Sequence, residues 1–401
     1  MYCIVPGRFI VKEVAMQAPP RTIDDGLALP KRAAAPFLVA LAVLVGACRP
    51  DPLDAATALH EEKLEAIRNG DLDAFMATVS GADPYYRNES EAWFWYTVNN
   101  PFEGLTFAVE RAEYRDDGSI AAAIRQAHRY EGRSFDFSYT LSLRFEGGRW
   151  VDADLDWETD RIDGFVVHYM PEERNLASFE RFLESAADGV YAAFGEGADP
   201  DFPVKLYTDR ELLRQRTYPI LSRQFTAWGS PDESLKIYSG FPRVELYEGT
   251  VRHELVHHVT ARMSGYNFPG WYAEGLAVHY GNSVTLGGDY VSLGRITAED
   301  ARLTIGELEA ADQVRMTDER ELNAYYGASG LIVRYIEEAY GPDAHLRVLK
   351  RLGELPWFDR ARHPDPESVT QPLLREAFAE ELGVDADELS RAYLGWLDAT
   401  F

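Results

Sequence analysis

Cysteine is almost absent from this 401-residue chain: Cys3 and Cys48 are the only two. A disulfide framework is therefore excluded. Positive charge is also scarce, with 40 Lys and Arg against 66 Asp and Glu and a net charge of −26. Such a surface repels phosphate backbones, and no basic cluster offsets it, so the balance argues against nucleic acid as a partner. The apolar run Ala33–Ala47 falls short of the roughly 20 residues that a membrane-spanning helix needs. With 46% hydrophobic and 26% charged residues, the composition is globular, which excludes a disordered chain, a coiled coil and a multi-span membrane protein. At about 150 residues per domain, the length allows two or three domains.

What is there begins with an address. Lys31 and Arg32 precede the apolar run, which closes on Val45, Gly46, Ala47 and Cys48. A positive start, a core of this length and small residues at its end are the parts of a secretory signal peptide. The ending resembles the lipobox of bacterial lipoproteins. That resemblance implies acylation of Cys48, cleavage just before it and acylation of the new N-terminus. The result is a lipid anchor, since each buried CH₂ contributes about 0.8 kcal/mol. A buried helix with a chance cysteine is the competing explanation, and the order of the parts argues against it. Residues 1–47 are thus a leader with a long upstream extension, in which Met16 is a candidate start, and 48–53 a lipidated linker. Arg49, where an Asp would mark inner-membrane retention, points to the periplasmic side of the outer membrane. With Cys48 modified, the mature chain keeps no thiolate, so any metal must use His and carboxylate ligands.

The expected fold class is α+β in two domains. In residues 54–168, AATALHEEKLEAIR (55–68) and DLDAFMATV have helical apolar spacing. Alternating strands follow at 105–114, 119–130, 135–146 and 149–158, with Gly118, Gly132, Gly147 and Gly148 at the turns. Two helices on a curved antiparallel sheet, with EGGRW leading into the last strand, resemble the nuclear-transport-factor-2-like (SnoaL-like) fold. That fold is cone-shaped and often holds a pocket. Trp93, Trp95, Tyr130, Trp150 and Trp157 are expected to fill the core in preference to lining a pocket. Residues 171–401 form the second domain. It opens with an amphipathic helix at 176–195 and strands at 204–209 and 233–240, and a helix starts near Glu245.

That helix carries RHELVHH. His253 and His257 are four positions apart, so their imidazoles lie one turn apart on one face and can grip one Zn²⁺. Glu254 is placed to accept a proton from an activated water and not to ligate. Val251, Leu255, Val256 and Val259 make the flanks apolar, as a buried helix requires. A turn at Gly265, Asn267, Pro269 and Gly270 leads into WYAEGLAVHYG, which brings back Glu274 as a third ligand. Two His and one Glu leave a fourth position open, as catalytic zinc needs.

HELVHH followed by PGWYAEGLAVHYG resembles the gluzincin metallopeptidases, in particular the bacterial peptidase MA-like family. Further likeness lies in AYYGASGLIVRYIEEAYG (324–341) and in the segment 373–397. The resemblance covers about residues 200–400. It implies one zinc ion held by His253, His257 and Glu274, Glu254 as general base, and Tyr326 as a hydrogen-bond donor to the oxyanion, with Tyr325 as the fallback. It further implies that ESLKIYSG is the edge strand on which an extended peptide is laid. Ala328 stands where many relatives have a polar residue, and Val278 where a bracing carboxylate often sits. Among the other histidines, His258 points about 100° away from the ligand face and His279 is a candidate to support the site. His60, His128, His168, His345 and His363 read as surface or satisfied core residues.

The expected function is a zinc metallopeptidase on the bacterial envelope, an endopeptidase because no exopeptidase-type G-x-M-x-N strand precedes the motif. Peptide or protein is the expected substrate. The alternatives are a catalytically latent envelope lipoprotein that binds or scaffolds, and a ligand-binding module whose working part is the N-terminal cone.

Overall fold

The computed structural model describes residues 49–401 apart from 163, 174–175, 196–200, 222–224, 241–244 and 284–288. The expected leader and Cys48 lie outside the described residues. The architecture is mixed α+β, with twelve helices and two sheets among the described residues. None of these helices is long and apolar enough to cross a membrane.

Three capped helices come first. Asp51 caps α1 (Pro52–Asn69), which stops at the left-handed Gly70; Asp71 caps α2 (Leu72–Met76) and Asp83 caps α3 (Pro84–Asn99). Each cap side chain satisfies amide groups that the first turn leaves unpaired. An antiparallel meander follows: β1 (Glu103–Tyr114), β2 (Ile120–Tyr130), β3 (Arg133–Glu146) and β4 (Arg149–Leu155), in that spatial order. Alternation along β2 and β3 buries Ile120, Ala122, Ile124, Leu141 and Leu143 with Leu59 of α1.

The second sheet gathers β5 (Glu158–Ile162), β6 (Phe165–Tyr169), β7 (Phe202–Tyr207), β8 (Ala227–Trp228) and β9 (Leu235–Tyr238) in the order β5-β6-β7-β9-β8. β6, β7 and β9 run parallel, while β5 and β8 pair antiparallel at the two ends. Two expectations change here. The division foreseen between 168 and 171 runs through this sheet, because β6 pairs with β7. Sheet membership switches earlier, between Leu155 and Glu158, and Asp51–Phe401 forms one compact unit. The segment ESLKIYSG contains β9, which is interior; β8 is the edge.

Helix α4 (Leu176–Phe194) links β6 to β7, and α5 (Arg210–Thr217) follows β7. The rest is helical: α6 (Glu245–Ser264), α7 (Gly270–Ser283), α8 (Ile305–Ala310), α9 (Glu319–Tyr340), α10 (Ala344–Gly353), α11 (Glu367–Leu382) and α12 (Ala386–Thr400). One apolar core runs through this half and includes Val256 of α6, Leu276 of α7 and Leu331 of α9. Helices α7 and α9 approach closely because Gly275 and Gly330 lie at their crossing. A Cβ on Gly275 would sit 2.6 Å from the Ser329 carbonyl oxygen, and one on Gly330 2.6 Å from Val278 Cγ1.

Between the meander and the second sheet lies a buried ionic cluster. Lys205 of β7 pairs with Glu89 at 2.5 Å and Asp154 at 2.6 Å. Lys236 of β9 pairs with Glu233 at 2.8 Å and lies 3.4 Å from Glu89, and Lys63 pairs with Asp152 at 2.5 Å. The cavity beside this cluster has a volume of about 20 Å³, room for a single water. Trp93 is buried and donates to the Gln215 carbonyl at 2.8 Å, whereas Trp95, Tyr130, Trp150 and Trp157 are half-buried.

Candidate metal centre

Helix α6 turns Val251, Leu255, Val256 and Val259 inward, each at most 3% exposed. Its next face carries His253 and His257, both half-buried. At its end Gly265 adopts φ +62°, a left-handed conformation that favours glycine. The Asn267 side-chain amide then donates to the carbonyls of Ser264, Leu352 and Pro356 at 3.1–3.3 Å. This pins the reversal that sends α7 back along α6. At the start of α7, the Gly270 N–H donates to the Glu367 carboxylate at 3.2–3.3 Å, a negative charge at the positive end of the helix.

One turn into α7, Glu274 meets the histidines. Its Oε2 lies 3.2 Å from His253 Nε2 and 3.4 Å from His257 Nε2, and the two imidazole nitrogens are 3.2 Å apart. Bonds of about 2.0–2.2 Å around a tetrahedral ion put neighbouring ligand atoms roughly 3.3 Å apart. The three-atom triangle therefore has the size a tetrahedral cation needs, and two imidazoles with a carboxylate are a donor set that can hold a divalent metal ion. The three side chains keep 15–22% of their surface exposed, so solvent reaches the triangle. Burial raises the Glu274 carboxyl, but His257 and His253 outweigh it and hold the group well below the usual carboxylate range.

Glu254 is buried beside His253 and is not one of the three groups whose ligand atoms converge. Burial pushes its carboxyl up to about 7, against the pull of His253. The backbone N–H of Gly229, just after β8, donates to it. Only glycine fits there: a Cβ on Gly229 would lie 2.4 Å from the Glu254 carbonyl oxygen.

Tyr326 of α9 faces the site. Its hydroxyl lies 3.4 Å from Glu274 Oε1 and accepts a hydrogen bond from Gln313 Nε2 at 2.9 Å. Tyr325 is buried in the core at 3% exposure. Ala328 is fully buried, which suits a small apolar residue. Val278 packs on Gly330. His258 stacks near the Phe202 ring, 4.2 Å away, and stays off the triangle. His279 bonds to Glu337 at 2.5 Å, so it braces α9 and not the ligands. Three of the remaining histidines are core groups: His60 on the Ala56 carbonyl, His345 between Tyr272 and Val333, and His128, which stacks on Phe102 at 4.3 Å with neither ring nitrogen hydrogen-bonded and so departs from the satisfied core residue expected.

Gln313 was not foreseen. It lies in the loop between α8 and α9 and donates to Glu274 Oε1 at 2.9 Å as well as to Tyr326. No spacing rule marks a loop amide, and only its neighbours in space reveal it. Compared with known proteins, the chain matches no family model, and no curated protein shows significant similarity to it.

Proposed function

We propose that this chain is a zinc-dependent peptidase, probed most simply as an endopeptidase, tethered through acylated Cys48 to the bacterial envelope on the periplasmic side of the outer membrane. The observation that carries the reading is the triangle of His253, His257 and Glu274 atoms at 3.2–3.4 Å with Glu254 alongside. Zinc held there supplies a polarising charge for a carbonyl and a lowered pKa for water. Glu254, with a carboxyl near 7, is suited to accept a proton from the attacking water and return it to the leaving amine. The Tyr326 hydroxyl is placed to donate to the oxygen on which charge develops. Edge strand β8 ends at Trp228, the next residue Gly229 meets Glu254, and an edge can take an extended chain by β-augmentation. That position supports a polypeptide substrate.

The test is hydrolysis of a denatured protein by the full chain, with and without chelator. Cleavage that disappears with chelator and returns with zinc supports the reading. Cleavage indifferent to chelator overturns it. One observation favours a second reading. The N-terminal half touches both segments beside the site: Asn88 donates to the Asp232 carbonyl at 2.8 Å, and Glu131 pairs with Arg315 at 3.3 Å. Such contacts suit a catalytically latent lipoprotein that binds or scaffolds, and stoichiometric zinc without hydrolysis would favour it.

A further inference from the structure

We propose that Gln313 is a positioning residue for the metal centre, holding Glu274 to one-oxygen ligation and fixing the Tyr326 hydroxyl beside it. The inference rests on the metal-site reading above and goes beyond its ligands. A carboxylate can meet a cation through one oxygen or both. In Glu274, Oε2 faces His253 and His257, while Oε1 faces away and accepts from Gln313 Nε2 at 2.9 Å. Two-oxygen binding would set Oε1 to serve the ion in competition with the hydrogen bond it already accepts from Gln313. Groups that hydrogen-bond to a ligand in this way fix its direction and tune its affinity.

The Gln313 amide nitrogen has two hydrogens and two acceptors, Glu274 Oε1 and the Tyr326 hydroxyl, both at 2.9 Å. The reverse orientation of the amide would set its oxygen against a carboxylate oxygen, acceptor on acceptor, which is repulsive. The geometry therefore admits one orientation. A hydroxyl that accepts from Gln313 keeps its own hydrogen to donate. That hydrogen goes to Glu274 Oε1 at 3.4 Å, so Gln313, Tyr326 and Glu274 form one hydrogen-bonded group. Support for Glu274 has to come from outside its own helix, because Val278, one turn on, is apolar and packed on Gly330.

The experiment compares the full chain with Gln313→Leu, Gln313→Asn and Tyr326→Phe. Zinc affinity is read by competition with a chromophoric chelator, and coordination by the visible absorption of Co²⁺ in place of zinc. Both Gln313 variants should bind zinc about 10- to 100-fold more weakly. Their Co²⁺ absorption should weaken as the freed Oε1 joins the ion and the coordination number rises. Tyr326→Phe should leave affinity nearly unchanged. Thermal unfolding in chelator should be alike for all, which separates positioning from folding. If Gln313→Leu fails to fold, Gln313→Asn, which keeps the polarity but is too short to reach, carries the test. Wild-type affinity and an unaltered Co²⁺ spectrum in the variants would overturn the proposal alone. Absence of metal binding by the wild-type chain would overturn the metal site and the proposal together.

Discussion

Glu254 and Glu274 are both buried carboxylates within one site, yet their environments push them in opposite directions. Burial dominates at Glu254 and raises it to about 7, whereas two imidazoles hold Glu274 down. Separated in this way, one carboxylate can carry a proton while the other stays charged towards a cation. Glu254→Gln should therefore keep full metal content but slow turnover by about 10²- to 10⁴-fold, the usual worth of a general base; steady-state rates and metal analysis on one preparation check both halves. At this scale the sequence is informative where a helix imposes a period. HExxH places two imidazoles on one face by helix period alone, and the α6–α7 reversal brings Glu274 to them. It is silent where a loop delivers the group. Gln313 reaches Glu274 through tertiary packing alone, and His279 turned to Glu337 because α9 passes there.

Elements follow the same rule of clear and unclear periods. Alternation is clear in β2 and β3, and all strands of the meander but the last match their expected bounds to within two residues. Helix α3 was not foreseen. Tyr86, Trp93 and Phe94 are buried while Tyr85, Trp95 and Tyr96 are half-buried, so aromatics occupy most of its circumference and blur the apolar stripe. Its readable signal was Asp83 before Pro84, an N-cap followed by proline at the first turn. The edge of the second sheet was misplaced because β8 has only two residues, too few for a pattern. The α7–α9 crossing depends on glycine. Gly275→Ala would drive a methyl to 2.6 Å from the Ser329 carbonyl oxygen, and should cost about 1–3 kcal/mol by overpacking. Urea titration would read this as a lower midpoint, and an unchanged midpoint would mean that the crossing has slack.

Over the whole molecule, the cluster of Lys205, Glu89, Asp154, Lys236 and Glu233 joins the meander to the second sheet where no sequence pattern announced a joint. Lys205 is 1% exposed. Truncating it to Ala leaves Glu89 and Asp154 with less compensation and should destabilise by about 3–5 kcal/mol, the range for breaking a buried pair; denaturant unfolding measures it. Acid should act through a separate route. Burial lowers His60 and His345 from 6.5 to about 4, so the folded chain excludes protons that the unfolded chain takes up. Their contribution is complete above pH 6.5 and falls away between 6.5 and 4, by about 3 kcal/mol for each group. Glu89, whose carboxyl the lysines bring down to about 2 despite burial, keeps its contribution above the unfolded value of 4.5 and loses it only as the pH falls towards 2. Stability measured against pH should thus begin to fall near 6.5, before ordinary carboxylates titrate. Glu254, raised to about 7, gains stability over the same range and offsets part of the fall, so the test is made in Glu254→Gln, where a flat profile down to pH 5 would contradict the neutral histidines.

The most direct measurement is equilibrium dialysis of the full chain against buffered Zn²⁺, in parallel with His257→Ala and Glu274→Ala variants whose circular dichroism matches the wild type. One tightly bound equivalent in the wild type, lost in both variants, is the predicted result. Binding that is absent from the wild type, or that persists unchanged without His257 and Glu274, would contradict a metal centre at this site.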